Sequence, residues 1–457
     1  MAEIKEKKQP RFKQVTVMFL MTAFQLLCAA CVICRQEDPS LNLIYIFFGY
    51  IAAEWLYMLI GNLITDNDYF ELEAIAFFLS GIGLTVCASF NETFALKQLI
   101  AIGLGIAVYL IMLLLIKDVH VAGILRYPAA VASIGVLAAN LVLAKTVNGT
   151  LNWIDLGFFS IQPSELVKIT FILVGAVSLE KLLSITSLTK YVIFSLACVG
   201  ALFLMKDFGT ALIFFFTFIL IAFMRSGNIR TIVLICAVAL MGAMLIIYFK
   251  PYVANRFAAY RHVWDFIDTT GYQQTRVLIY SASGGLFGLG IGEGKLRDVY
   301  AASTDLIFGL ICEEMGLILG IAVLLSFVGI AFFAIKTART SASTFYTIAA
   351  VAAAGMLLFQ LSLNVFGITD LLPLTGVTLP FVSRGGSSML CSWGLLAYIR
   401  AAGAPFKAPE PDIIIKKPVR QVKNIQIEKA PPKKSPSKKA PSSRKAAPPT
   451  VKKGGKQ

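Results

Sequence analysis

Runs of about twenty apolar residues recur along this chain, and nothing constrains its fold more. In lipid such a run satisfies its own backbone polar groups only as a helix. With 57% hydrophobic and only 15% charged residues, the 457-residue chain reads as an all-α polytopic membrane protein. A β-barrel would need short segments of alternating polarity, and these are absent. Twelve spans are expected, near 15–34, 41–61, 72–90, 97–116, 122–145, 165–184, 188–205, 208–224, 229–249, 304–335, 345–366 and 386–403.

Charge sets the expected topology. Of the net +15, residues 404–457 carry +12 (15 Lys/Arg against Glu410, Asp412 and Glu428) and residues 1–14 carry +3, so the membrane core is about neutral. That distribution speaks for orientation and surface association, not nucleic-acid binding. With the N-terminus inside, Lys117, Arg126, Lys181, Lys190, Arg225, Arg230, Lys336 and Arg339 all fall on the cytoplasmic side. An even number of spans leaves both termini cytoplasmic. The organisation read here is a basic N-terminus (1–14), two helices (15–66), a membrane core (67–403) with a large outer loop (250–303), and a tail (404–457). The tail is rich in Pro, Lys, Ala and Ser and is expected to be disordered.

Polar residues inside such a chain are costly and mark candidate sites. Asp305 sits where a glycine-rich segment, Gly284 to Gly294, gives way to an apolar run. Glu313 and Glu314 follow within that run and are expected to face protein or a wet cavity. Pro163 fits a helix start, and Glu165 and Lys168, three apart, share a helix face below Trp153. An intrahelical ion pair accounts for the same spacing. The outer loop offers Arg256, Arg276 and Lys295 among aromatics, which suits a phosphate-bearing headgroup or simple snorkelling. In the stretch 370–388, two prolines and three glycines break helix and leave Ser383, Arg384, Ser387 and Ser388 as a pocket wall or a tight turn. No phosphate-binding GxxxxGK[ST] run exists, so no nucleotide is expected, and two histidines make a histidine metal cluster or triad improbable.

Four ordered blocks carry a resemblance. They are Asn152-Trp-Ile through Gln162-Pro-Ser-Glu165 and Lys168; Lys206-Asp-Phe-Gly-Thr210; Gly284-Gly-Leu-Phe-Gly through Thr304-Asp305 to Glu313-Glu-Met-Gly316; and Leu372-Pro-Leu-Thr-Gly through Leu379-Pro-Phe-Val-Ser-Arg-Gly-Gly-Ser-Ser388. Together they resemble the SEDS family, the RodA/FtsW/SpoVE proteins of shape, division and sporulation. The family usually has ten spans, so 15–34 and 41–61 look like two additional helices. Ser303, Lys206 and Arg384 stand where the pattern usually has His, Pro and Tyr.

The resemblance implies a peptidoglycan glycosyltransferase that polymerises lipid II, with undecaprenyl pyrophosphate leaving and inversion at the sugar. It implies Asp305 as the general base. It also implies a divalent metal (Mg2+ or Mn2+) and a class B penicillin-binding protein as partner. A lipid-precursor flippase and a non-catalytic scaffold for a partner synthase stay open at this point.

Overall fold

In the computed structural model of the chain, the described residues are 11–403 apart from 36–39, 66–69, 148–149, 156, 158–159, 179–184, 231–232, 238–239, 242–243, 245–259 and 342. Residues 1–10, much of the expected span 229–249, Arg256 and the tail 404–457 lie outside them.

Five long helices open the fold: α1 (Arg11–Cys34), α2 (Leu41–Thr65), α3 (Glu71–Phe90), α4 (Glu92–Ile116) and α5 (Val119–Leu143). A small antiparallel sheet follows, β1 (Lys145–Val147), β2 (Thr150–Asp155) and β3 (Ser160–Ile161). Next come α6 (Pro163–Ser178), α7 (Ile185–Leu204) and α8 (Phe208–Ser226), then the short α9 (Tyr272–Ser283) and α10 (Ile307–Glu314). The chain closes with α11 (Gly316–Thr340), α12 (Thr344–Ile368) and α13 (Gly386–Gly403). Eight helices among the described residues are long and apolar enough to cross a membrane: α1 to α5, α8, α11 and α12. The architecture is that of an all-α polytopic membrane protein.

Local chemistry starts several of these helices. A short polar side chain at the end of one apolar run accepts the first free N–H of the next helix. Asn91 accepts from Phe94 N at 2.8 Å, Asp118 from His120 N at 2.7 Å, and Asp207 from Thr210 N at 3.0 Å.

The lipid-facing and core-facing helices differ in burial. Only 17% of the α5 span is buried, against 83% of α3 and 72% of α12. Helix α13 is buried almost throughout, which is why its serines, Cys391 and Arg400 are tolerated. Glycine lets its neighbours close in: a Cβ on Gly105 would lie 2.8 Å from Trp393. Trp393 is fully buried against the rings of Phe77, Tyr109 and Phe381.

One sequence expectation is revised. The run 304–335 is not one helix. It breaks after Glu314, where Gly316 takes φ +86° and a Cβ would meet the Leu286 carbonyl at 2.3 Å. Only glycine fits there, so the segment becomes α10 plus α11. The outer loop has secondary structure of its own. Its described part holds α9 and two 3-10 turns, Val263–Phe266 and Lys295–Asp298.

Away from the break, one ion pair is sealed inside the bundle. Arg400 lies 3.2 Å from Glu73, their side chains 3% and 1% exposed. The hydroxyls of Tyr57 and Tyr109 also donate to Glu73. Removing one partner strands a buried charge. Arg400→Met is therefore expected to cost about 3–5 kcal/mol, and adding Glu73→Gln should recover part of it. Thermal unfolding in detergent measures both; a single-variant loss below about 1 kcal/mol would contradict the pairing.

Candidate functional site

The helix ends that carry Phe90, Pro163, Asp207 and Gly386 surround a cavity of about 1130 Å³. Its wall includes Lys97, Gln98, Asn152, Trp153, Gln162, Glu165, Lys206, Asp207, Gln274, Arg297, residues 299–305 and 373–378, and Arg384. Asp305 lies in the turn before α10, outside any membrane-spanning helix. Ala301, at φ +66°, starts this turn, and its carbonyl accepts from Thr304 N and Leu306 N. A left-handed alanine is strained backbone, and here it sits beside the cavity.

The turn is pinned from behind. Asn364 Nδ2 donates to the Asp305 carbonyl at 2.8 Å and to the Val377 carbonyl at 2.7 Å. Ser383 Oγ donates to the Thr304 carbonyl at 2.6 Å and accepts from Leu379 N at 2.8 Å. Arg384 N donates to the Ser303 carbonyl at 2.9 Å. Helix α12 and the extended segment after it thus hold the Asp305 turn through three hydrogen-bonding residues.

A second network runs through the protein under the cavity floor. Lys168, fully buried, donates to Glu165 at 2.7 Å and to Gln360 at 2.8 Å. Gln360 donates to the Thr378 carbonyl at 2.9 Å, and Thr378 and Ser388 share a bond of 2.8 Å. Ser387 Oγ accepts from Gln162 N at 3.2 Å. A buried ammonium in a helix is tolerable only with such partners.

The electrostatics of the wall favour a proton acceptor. Enclosure by protein raises the Asp305 pKa to about 6; Thr304 opposes the rise and the nearby Asp207 carboxylate adds to it. Burial raises the pKa of Asp207 too, although Thr210 stabilises its charged form. Gln162 Nε2 also donates to Asp207 at 3.2 Å.

The structure sorts the residues singled out in the sequence. Asp305, Trp153, Glu165 and Arg384 share the cavity wall. Lys168, Ser383, Ser387 and Ser388 stand behind it as hydrogen-bonding support. Arg276 stacks on Tyr272 and Lys295 is exposed; neither lines the cavity. Lys295 instead gives its backbone N–H to Glu313 at 2.7 Å. Glu313 also accepts from Leu296 N and Glu314 from Gly292 N, so both glutamates hold the glycine-rich loop and are buried in doing so.

Arg297, one of the outer-loop cations, does line the cavity, whereas three other wall residues are not singled out as site candidates in the sequence: Asp207, Lys97 and Gln98. Asp207 ahead of Gly-Thr is legible only as a helix cap. The others come from distant segments and are gathered by packing alone.

Taken together, the helical bundle and its carboxylate-bearing cavity define a polytopic membrane protein with a polar site at one end. A family model described as "Cell cycle protein", spanning FtsW, RodA and SpoVE, matches residues 73–403. The chain belongs to that family. It is similar to stage V sporulation protein E of Bacillus subtilis, 34% identical over 54% of this chain and 71% of that protein. It is also similar to the peptidoglycan glycosyltransferase RodA of Mycobacterium tuberculosis, 29% identical over 66% and 69%. Among solved structures, one described as structural coordination of polymerization and crosslinking by a peptidoglycan synthase complex superposes with TM-score 0.63. It is 24% identical and covers 73% of this chain and 97% of that one. The Thermus thermophilus rod shape determining protein RodA gives TM-score 0.55 over 73% and 96%, also at 24% identity. At that identity the structures speak for the fold.

The double hydrogen bond from Asn364 carries a prediction. Asn364→Leu should cost about 1–3 kcal/mol, because two buried carbonyls lose their donor. It should also loosen the Asp305 turn. Thermal unfolding, together with the reactivity of a cysteine placed at Thr304, measures both; unchanged values would remove Asn364 from the support of the site.

Proposed function

We propose that this chain is a peptidoglycan glycosyltransferase that polymerises lipid II at the outer face of the bacterial cytoplasmic membrane. The relatives' names support the reaction class, and the basic clusters 1–14 and 404–457 support cytoplasmic termini. The observation that carries the reading is Asp305, whose backbone turn Asn364 and Ser383 hold at the cavity wall and whose carboxyl pKa is raised to about 6. A base of that strength is mostly ionised at neutral pH yet binds a proton better than an ordinary carboxylate.

In this reaction the acceptor sugar's 4-hydroxyl attacks the donor's anomeric carbon. Asp305 takes the hydroxyl proton as the new bond forms. The bond to the pyrophosphate oxygen breaks, and undecaprenyl pyrophosphate leaves with the electron pair. With no covalent step on the protein, the sugar inverts. Trp153, Glu165 and Arg384 form the wall that the substrate meets, and Lys168, Ser383, Ser387 and Ser388 keep that wall in place.

A divalent metal fits as a partner of substrate phosphates. Among the described residues no three His, Cys, Asp or Glu side chains gather as a metal cage. Mg2+ and Mn2+ need fewer: one or two carboxylates plus phosphate oxygens suffice. Asp207, a carboxylate on the same cavity wall as Asp305, would be the residue to hold such an ion. When bound, the ion supplies charge neutralisation at the pyrophosphate. A class B penicillin-binding protein would crosslink the strands made here, in line with the synthase complex whose fold this chain shares.

Reconstitution with lipid II and the partner tests the proposal. Asp305→Ala should lose roughly 10²–10⁴-fold or more in polymerisation, the usual contribution of a positioned base. Undiminished glycan synthesis by that variant would sink the assignment; headgroup translocation without polymer would instead favour a flippase. The pH dependence follows from the raised pKa. Below about pH 6 Asp305 is protonated and cannot accept a proton, so the rate should fall as pH drops through that value. Asp207→Asn removes a charge that raises the Asp305 pKa, so the acid limb should move to lower pH.

A further inference from the structure

Beside the cavity two adjacent rings are flanked by two cations. Arg297 lies 4.6 Å over the Phe90 ring, Phe90 and Phe94 are 6.2 Å apart, and Arg384 lies 3.8 Å over Phe94. The two cations are not equivalent. Arg297 is already neutralised, with Glu314 at 3.5 Å and the Ser89 carbonyl accepting from it. Arg384 has no carboxylate partner among the described residues, and no side-chain N–H of it finds an acceptor there. Stacking on Phe94 occupies one face of the guanidinium and leaves the in-plane N–H fork open. Arg384 is also half-buried, and burial lowers its pKa. A cation so placed is short of one counter-charge.

We propose that the Arg384 fork, stacked on Phe94 and facing the cavity, binds the pyrophosphate of a polyprenyl-linked donor. This rests on the reaction proposed above and names the group that receives its leaving charge. Three observations converge on it. The residue lines the same cavity as Asp305. Its backbone N–H holds the Ser303 carbonyl, two residues from the base, so Arg384 and the Asp305 turn are tied into one part of the wall. Planar guanidinium matches phosphate oxygens in pairs, which an ammonium cannot do. The carboxylates of the same wall do not cancel the site. Glu165 is paired with Lys168, Asp207 is held by Thr210 and Gln162, and Asp305 is reserved for the proton. Arg384 thus places a cation on the cavity wall where leaving-group charge would develop.

The test measures binding of undecaprenyl pyrophosphate in detergent micelles, and of inorganic pyrophosphate, to the full-length protein in EDTA. Arg384→Gln should weaken the lipid pyrophosphate at least tenfold. Arg384→Lys and Phe94→Leu should each weaken it less, the first keeping charge without the fork and the second removing the stacking platform. Arg339→Gln, at the far end of α11, should bind as wild type. Unchanged affinity in Arg384→Gln overturns the proposal, and so does inorganic pyrophosphate binding as tightly as the lipid form, which would assign the site to a free phosphate. Lipid II polymerisation is followed in parallel with the partner present. Polymerisation with Arg384-independent binding overturns the anion site and leaves the reaction standing. Arg384-dependent lipid binding without polymerisation supports the site and removes the reaction.

Discussion

Backbone that leaves helical geometry inside a membrane protein must have its freed polar groups satisfied by protein, and the whole site depends on how that is done between α12 and α13. The stretch around Leu371–Gly385 is not helical. Its carbonyls and N–H groups are met by side chains: Asn364 at Val377, Gln360 at Thr378, Ser383 at Leu379, and Ser392 at Phe381. Each donor or acceptor sits on a neighbouring helix or at the segment's own end. Because Asn364 and Ser383 also reach the Asp305 turn, the device that satisfies the broken backbone also positions the carboxylate.

The buried charges follow the same rule. Lys168 enters the core only because Glu165 and Gln360 receive it, and Gln360 in turn holds Thr378. The network therefore ties α6, α12 and the segment before α13 into one frame. Glu313 and Glu314 do the equivalent for the glycine-rich loop, gathering the N–H groups of Gly292, Lys295 and Leu296. Apart from Glu165 and Thr378, which also line the cavity, neither set needs to touch a substrate. Both decide where the residues that do touch it can be.

Much of the fold was legible because lipid imposes a strong code: length and apolarity mark a helix, and a short polar residue marks its start. The break at Gly316 was harder to see, since glycine is common in membrane helices and only the approach of the Leu286 carbonyl makes it obligatory. In the site, Asp305 stood out as a charge at an apolar boundary. Arg276 and Lys295 looked equally apt by composition, yet one stacks on its own helix neighbour and the other points away from the cavity. Asp207 was hidden by its role as a cap.

By itself the sequence determined the class of fold, most of its helices, the family motifs and a short set of suspect carboxylates with Asp305 among them, because these follow from local hydropathy and short-range pattern. Only the tertiary structure decided that Asp207, Arg297 and Arg384 share a cavity with Asp305, that Lys168 and the serines stand behind its wall, and that Arg384 faces it with no counter-ion among the described residues. The physical reason is that a charge has meaning only through its neighbours. Residues as far apart in the chain as Phe94 and Arg384 become neighbours only when the helices pack.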